Sequence, residues 1–189
     1  FTDYTPREVS VHKKNAQTNV MLGCPAYSVR DDKRVPFLLL NNLLGGQGMN
    51  TRLNLGIRDK KGLADTIESH YTSFSDTGLF AIYFGCEEYH RQQCMEVILK
   101  ELKRLRENAL GTMQLYYAKK QLVGQIALSN EAQLNEMLAL GHAARLLEAV
   151  YPTAESIREI EAVTASQILE VANEILCPEK FCVLQFKGK

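Results

Sequence analysis

The sequence of 189 residues has no tryptophan and no net charge, because 22 lysines and arginines balance 22 aspartates and glutamates. Without an excess of positive charge, the chain has no general attraction for nucleic acid or for an anionic membrane. No apolar run reaches the roughly 18 residues that a membrane-spanning helix needs. We therefore predict a globular protein with neither nucleic acid nor a membrane among its partners, as its 46% hydrophobic content also indicates.

The cysteine pattern lacks the features of a disulfide framework or of a structural zinc site. The number of cysteines is odd, their spacing is irregular, and no CxxC occurs. We predict that all five are reduced and buried, acting as small apolar side chains. This favours a reducing compartment, the cytoplasm in preference to the periplasm. The five are Cys24, Cys86, Cys94, Cys177 and Cys182.

Histidine pairs at metal-binding spacing are also missing. The four histidines are His12, His70, His90 and His142, and none has another three or four residues away. Neither HExxH nor HxxEH occurs, so the helical spacing that binds catalytic zinc is absent. We predict no metal site and no metal cofactor in this chain. A site assembled from distant residues is the alternative.

Other catalytic motifs are lacking as well. The segment GGQG at 45–48 has neither the lysine nor the hydroxyl residue of a P-loop, and it follows a predicted helix rather than a strand. We predict that it connects two helices, with nucleotide binding as the alternative. No GxSxG motif occurs. The carboxylates at 87–107 follow the solvated face of an amphipathic helix, so no self-sufficient catalytic group of residues emerges.

Hydrophobic periodicity and turn residues predict the order of elements. Thr112 is a candidate helix N-cap, and Thr164 and Gln167 form a capping box. Gly62 is a helix stop, and SDTG at 75–78 is typical of a hairpin loop. The resulting prediction is strands at 8–14 and 17–24 (or one bent strand), helices at 36–45 and 49–61, a hairpin on either side of 75–78, helices at 91–107, 112–129, 131–149, after Pro152 and from Thr164, and a strand at 181–186.

This order predicts an α+β fold, with one mixed or antiparallel sheet and helices packed on one of its faces. The closing strand is expected to join the sheet begun at the N-terminus. No linker or internal repeat is visible, so we predict a single domain over 1–189. Because the chain opens on FTDYTPREV without an initiator methionine, we expect it to be part of a longer protein.

A long ordered pattern resembles the pitrilysin (insulinase-like) family of zinc peptidases, which includes mitochondrial processing peptidase and the core proteins of the cytochrome bc1 complex. The pattern is leucine-glycine-glycine, five residues, arginine-leucine, then an arginine, glycine-leucine-alanine and a serine-aspartate-threonine-glycine hairpin. Two helical segments continue it. The three stretches are LLNNLLGGQGMNTRLNLGIRDKKGLADTIESHYTSFSDTGLFAIYFGC, EVILKELKRLREN and YAKKQLVGQIALS.

The resemblance implies half of a clam-shell. In this family two homologous repeats enclose a chamber, the first carries HxxEH and zinc, and the second closes the chamber. This chain resembles the second repeat, which is inactive alone. The implied partners are the homologous zinc-binding repeat, in the same chain or another subunit, and a peptide substrate, with a homodimer as one arrangement. Zinc is expected only in the partner repeat.

The resemblance also implies a substrate-binding pair at Arg58 and Asp65. Members that support catalysis from the second repeat present an arginine and, seven residues later, a tyrosine. Arg58 matches the arginine, but Asp65 stands in the tyrosine's place. An ionised aspartate only accepts hydrogen bonds, so it would repel an oxyanion that a phenol would stabilise. Tyr71, six residues further along, is not expected to replace that phenol.

Two functions follow from the resemblance. The chain is either the supporting repeat of a working peptidase or an inactive homologue kept for structure, assembly or peptide binding. A third alternative is an unrelated binding domain with the same layer architecture. Arg58 and Asp65 could neutralise each other, or they could select a basic group on a ligand. The plainest alternative is a solvated ion pair at a helix–strand joint, worth less than about 1 kcal/mol.

Overall fold

The computed structural model describes residues 4–147 and 152–188. Within these ranges the domain has five strands and six α-helices, with one π-helix between α1 and β3. In chain order the elements are β1 Glu8–His12, β2 Thr18–Ala26, α1 Arg34–Gly45, the π-helix Asn54–Asp59, β3 Thr66–Ser73, β4 Gly78–Cys86, α2 Arg91–Glu107, α3 Thr112–Asn130, α4 Gln133–Leu147, α5 Thr153–Ala162, α6 Ala165–Ile175 and β5 Cys182–Lys187.

The strands form one mixed sheet in the order β1-β5-β2-β4-β3. Only β1 and β5 pair in parallel, and the three other pairs are antiparallel. The predicted N-terminal strands are therefore two separate strands, because β5 inserts between them. The prediction that the closing strand joins this sheet is confirmed. Tyr4 fastens the same region, since its hydroxyl donates to Lys180 O at 2.6 Å and accepts from Cys182 N at 3.0 Å.

The helices pack against one face of the sheet, as predicted. Helix α1 contacts β3 and helix α6 contacts β2. Alternate residues of the strands point into this layer, and Phe80, Ile82 and Phe84 of β4 are wholly buried. The ring of Phe37 from α1 meets Phe80 edge-on, with 5.3 Å between centroids. A single apolar core thus lies between the sheet and the helices.

The opposite side of the sheet, here called the open face, carries Val9, Met21, Leu79, Tyr83 and Leu184. In the strand register Met21 lies between Tyr83 and Leu184, and Leu184 lies beside Val9. Val9, Met21 and Leu79 are 41%, 43% and 49% exposed. The open face is therefore an apolar surface that the described helices leave uncovered.

The joint between α1 and β3 differs from the predicted helix at 49–61. The structure has a π-helix at Asn54–Asp59, in which Lys60 N bonds Leu55 O at 3.2 Å. Its entry is held by the buried Asn54, whose amide donates to Thr51 Oγ1 at 2.9 Å. The helical segment starts at position 52, later than the sequence pattern suggested. Gly62, with φ of +59°, ends the turn as predicted.

Two helix ends correct or confirm the capping predictions. The N-cap of α3 is Gly111 rather than Thr112, because Gly111 N donates to Gln114 Oε1 at 3.3 Å and Thr112 is already helical. The capping box of α6 is confirmed, since Gln167 N donates to Thr164 Oγ1 at 3.2 Å. Helix α4 starts two residues later than predicted, and positions 148 and 149 of that prediction lie outside the described residues.

None of the helices in the described ranges combines the length and the apolarity needed to cross a bilayer.

Candidate functional site

Arg58 lies on the exposed side of the π-helix and lines a cavity of about 350 Å³. The cavity is bounded by the connection after α1, by the π-helix and by strands β3 and β4. The short π-helix sets the direction of the guanidinium, and a π turn is a frequent feature of functional sites. The lining residues are Gly46, Gln47, Gly48, Met49, Asn54, Arg58, Thr66, Ile67, Glu68 and Tyr83.

One wall of this cavity is the GGQG segment. It connects α1 to the π-helix, so the predicted role as a helix connection is confirmed. Gly48 has φ of +134°, a conformation that residues with a Cβ rarely adopt. Gln125 of α3 donates from Nε2 to Gln47 O at 2.6 Å and holds the loop to the helix layer. Asn54 Nδ2 also donates to Gly48 O at 3.3 Å, so the wall is fixed by the backbone and by two side-chain amides.

The second wall belongs to the open face. Glu68 of β3 and Tyr83 of β4 are directly opposed in the antiparallel register. The Tyr83 hydroxyl donates to Asn19 Oδ1 at 2.7 Å, and His70 Nε2 lies 3.1 Å from Glu68 Oε1. The cavity therefore combines a cation, a carboxylate and a phenol. Sequence reasoning missed Glu68 and Tyr83, because only the strand register brings them to Arg58.

Asp65 occupies the joint differently from Arg58. Its backbone N–H donates to Gly85 O at 3.0 Å, which starts the pairing of β3 with β4. Its exposed carboxylate accepts from Gln17 Nε2 at 2.5 Å. Among the described residues, no ion pair joins Arg58 to Asp65. The described structure therefore contains neither of the two direct contacts suggested for Arg58 and Asp65, mutual neutralisation or a solvated ion pair.

Tyr71 lies on the covered face and is committed to the core. Its hydroxyl donates to Tyr27 O at 2.8 Å, and its ring meets Phe37 with 4.8 Å between centroids. Burial raises the pKa of the Tyr71 phenol well above its usual value. This position on the opposite face agrees with the expectation that Tyr71 does not replace the tyrosine.

The histidines are dispersed. His12 is exposed on the edge strand β1, His70 faces Glu68, and His90 lies against Tyr89 with 4.1 Å between ring centroids. His142 lines a different cavity, beside α4. Within residues 4–147 and 152–188, no cluster of three or more histidine, cysteine, aspartate or glutamate side chains could hold a metal ion. A zinc ion does not fit the side chains described in this chain.

All five cysteines are free thiols, but only Cys24, Cys86 and Cys94 are buried. Cys177 and Cys182 are half-buried, which corrects the prediction that all five are enclosed. Both lie next to the short turn that leads from α6 into β5. Burial raises the pKa of the Cys24 thiol to about 12, so this thiol stays protonated and unreactive at neutral pH.

The sequence model of the family described as peptidase M16 inactive domain matches residues 1–122. An uncharacterized zinc protease of Bacillus subtilis, YmxG, is 28% identical over 173 residues, which cover 92% of this chain and 42% of that protein. The mitochondrial-processing peptidase subunit alpha of Neurospora crassa is 25% identical over 173 residues, which cover 84% of this chain and 30% of the subunit.

The fold agrees with these sequence matches. The crystal structure of a peptidase M16 inactive domain from Pseudomonas fluorescens superposes with a TM-score of 0.85 at 22% identity, covering 98% of this chain and 44% of that one. The chain thus spans less than half the length of the relatives it matches. The predicted resemblance to zinc peptidases is confirmed, since the family model covers more than half of the chain. The chain belongs to the peptidase M16 family and corresponds to its inactive domain.

Proposed function

We propose that this chain is the non-catalytic repeat of a pitrilysin-type zinc peptidase, inactive alone, which closes a peptide chamber with its open face. Zinc and the hydrolytic chemistry belong to a homologous repeat, in the same chain or in another subunit. The observation that carries the proposal is the shared cavity of Arg58, Glu68 and Tyr83, since it opens beside the uncovered face of the sheet.

The Arg58 guanidinium is suited to hold a peptide. It is exposed, and in the described part of the chain it is engaged in neither an ion pair nor a side-chain hydrogen bond. A guanidinium offers five donors in a planar fork, which can bind a carbonyl or a terminal carboxylate at two points. Glu68 supplies an acceptor for a basic group of the same ligand. Met21 and Leu79 of the open face supply apolar contact area.

Asp65 limits what this repeat contributes to catalysis. Its carboxylate, bonded to Gln17, offers no proton to an oxyanion. Tyr83 provides the phenol in the cavity, but its proton is already donated to Asn19. We therefore assign this repeat to holding the peptide rather than to stabilising the transition state.

The test compares this chain alone with the longer protein that includes the preceding segment. Zinc is measured by elemental analysis, and cleavage is measured with an unstructured peptide. We expect zinc and chelator-sensitive cleavage in the longer protein only. Arg58→Ala should lower kcat/KM about tenfold or more, by loss of charge-assisted hydrogen bonds. Lys61→Ala, which removes a neighbouring exposed charge outside the cavity, should change it less than about twofold.

Stoichiometric zinc in the 189-residue chain alone would contradict the proposal. So would equal effects of Arg58→Ala and Lys61→Ala in an active longer protein, because the cavity would then have no role in holding substrate.

The second candidate function is an inactive homologue that binds peptide or assembles with another subunit. The observation that favours it is Asp65 in place of the tyrosine. This function is supported if the longer protein contains no zinc and cleaves no peptide, but binds a peptide more weakly when it carries Arg58→Ala. Sedimentation of the longer protein distinguishes a homodimer from a single two-repeat chain.

A further inference from the structure

A second polar cavity, of about 270 Å³, lies on the helix side of the domain, between the end of α2 and the start of α3. It is lined by Arg52, Arg104, Asn108, Ala109 and Gln114. None of these residues lines the Arg58 cavity. Neither the family relationship nor the proposed peptide chamber assigns it a role, so its chemistry has to be inferred from its own side chains.

Two arginines share a single carboxylate beside this cavity. Arg52 Nη1 lies 3.8 Å from Glu101 Oε2, and Arg104 Nη1 lies 3.8 Å from Glu101 Oε1. Both distances exceed those of N–H···O hydrogen bonds, so the contacts are electrostatic only. The two guanidinium groups and one carboxylate leave one positive charge uncompensated. Positive charge is thus concentrated at the wall of a cavity that is open to solvent.

The donors of these arginines are unused. In the ranges that the structure describes, neither guanidinium donates a hydrogen bond to a protein group. The Arg52 side chain is only 17% exposed. Burial and the neighbouring Arg104 lower the pKa of Arg52, although Glu101 opposes the change. The Arg104 side chain is 62% exposed, so both guanidinium groups can be reached by a small ligand from solvent.

The remaining walls add neutral donors. Gln114 Oε1 accepts from Gly111 N at 3.3 Å, which leaves its NH₂ group directed elsewhere, without an acceptor among the described residues. Asn108 Nδ2 donates to Arg104 O at 3.2 Å and holds the end of α2 in place. The cavity also adjoins the N-terminus of α3, where the helix dipole favours negative charge. Cations, an amide and a helix end thus surround one space.

We propose that this cavity binds a small oxyanion, a phosphate or carboxylate group held between Arg52 and Arg104. Planar guanidinium groups bind both kinds of group through paired, charge-assisted hydrogen bonds. The bound anion takes the place that Glu101 fills incompletely. It links the π-helix region, α2 and α3, and therefore stabilises the helix layer.

Titration calorimetry of the 189-residue chain with inorganic phosphate, at constant ionic strength against chloride, tests this site. Acetate serves as the carboxylate probe in a second titration. We expect saturable binding of at least one of these anions. Arg104→Gln should weaken that binding about tenfold or more. Lys103→Gln, which removes the adjacent charge on the same helix outside the cavity, should leave it within about twofold.

Glu101→Gln separates an anion site from a plain ion pair. It removes the competing carboxylate, so anion affinity should rise several-fold. Without anion the variant should have a lower melting temperature than the unmodified chain, and adding the anion should restore it. Three results would overturn the proposal: no saturable binding of either anion, equal losses in Arg104→Gln and Lys103→Gln, or no gain of affinity in Glu101→Gln.

Discussion

The covered face and the open face of the sheet are built by alternate residues of the same strands. On the covered face Phe80 and Ile82 of β4 are fully buried, whereas their neighbour Leu79 on the open face is 49% exposed. Both faces carry apolar side chains, but those of the open face lie outside the core. Because a domain does not need exposed apolar side chains for its own stability, the comparison supports the proposal that the open face contacts a peptide or a partner repeat.

Deleting a side chain from each face should show the largest difference. Phe80→Ala empties a site enclosed by the rings of Phe37 and Phe181, and should lower the free energy of unfolding by about 3–5 kcal/mol. Leu79→Ala, one residue away on the open face, should lower it by less than about 1 kcal/mol. Urea unfolding of the two variants measures both values. Similar losses would mean that the open face is part of the core.

A glycine substitution tests how closely the helix layer approaches the covered face. A Cβ at Gly45 would lie 2.8 Å from Ser69 N and 2.9 Å from Ser69 Oγ, so Gly45→Ala should cost about 1–3 kcal/mol of unfolding free energy. Gly124→Ala, in the interior of α3 with open space around it, should instead gain about 0.5–1 kcal/mol. Thermal melts of both variants provide the check. An unchanged melting temperature in Gly45→Ala would show that α1 is not held against β3.

The exposed joint allows a gain of function. In a longer protein that cleaves peptide, Asp65→Tyr should raise kcat about tenfold, because a phenol replaces a group that repels the oxyanion. Asp65→Phe has a similar size but no hydroxyl, and should show no such gain. Steady-state kinetics of the two variants measure the difference. Equal rates for both would mean that position 65 does not reach the reacting carbonyl.

The smallest predicted effect lies at the edge of the helix layer. Lys33 bonds Glu174 and, with the Tyr27 hydroxyl at 2.5 Å, lowers the pKa of that carboxyl. A lowered folded pKa contributes stability above the unfolded value of about 4.3, and this stability is lost as the pH falls through the folded pKa. Glu174→Gln should therefore flatten the stability profile below about pH 5, by less than about 1 kcal/mol for so exposed a pair.

Urea unfolding at a series of pH values measures this effect, with Glu161→Gln as the control. Identical profiles for the two variants would mean that the Lys33 contact does not hold the carboxylate in the folded protein.

Elements with strong local signals were predicted from the sequence alone. The helix at 91–107 and the hairpin on either side of 75–78 have complete periodicity or turn residues, and the structure confirms both. The capping box at Thr164 could be predicted because its two residues, Thr164 and Gln167, lie only three positions apart in the sequence. The π-helix was not predicted, since its backbone bond from Lys60 N to Leu55 O spans five residues and leaves no mark in the apolar period.

The candidate site was predicted only in part. Sequence and family resemblance led to Arg58 and Asp65, but not to the cavity that Arg58 shares with Glu68 and Tyr83. That arrangement depends on the register of β3 against β4, which no local pattern specifies. The bond between Asp65 and Gln17 joins residues 48 positions apart and was likewise invisible in the sequence.

The central claim, that the open face meets the peptide, is tested most directly by photo-crosslinking in the longer protein. A photoreactive phenylalanine is placed at Leu79 on the open face or at Tyr117 on the exposed side of α3, and each protein is irradiated with a labelled peptide. We expect the peptide to be captured from position 79 and not from position 117, with capture reduced by Arg58→Ala. Capture from position 117 alone, or capture from 79 that Arg58→Ala leaves unchanged, would contradict the account.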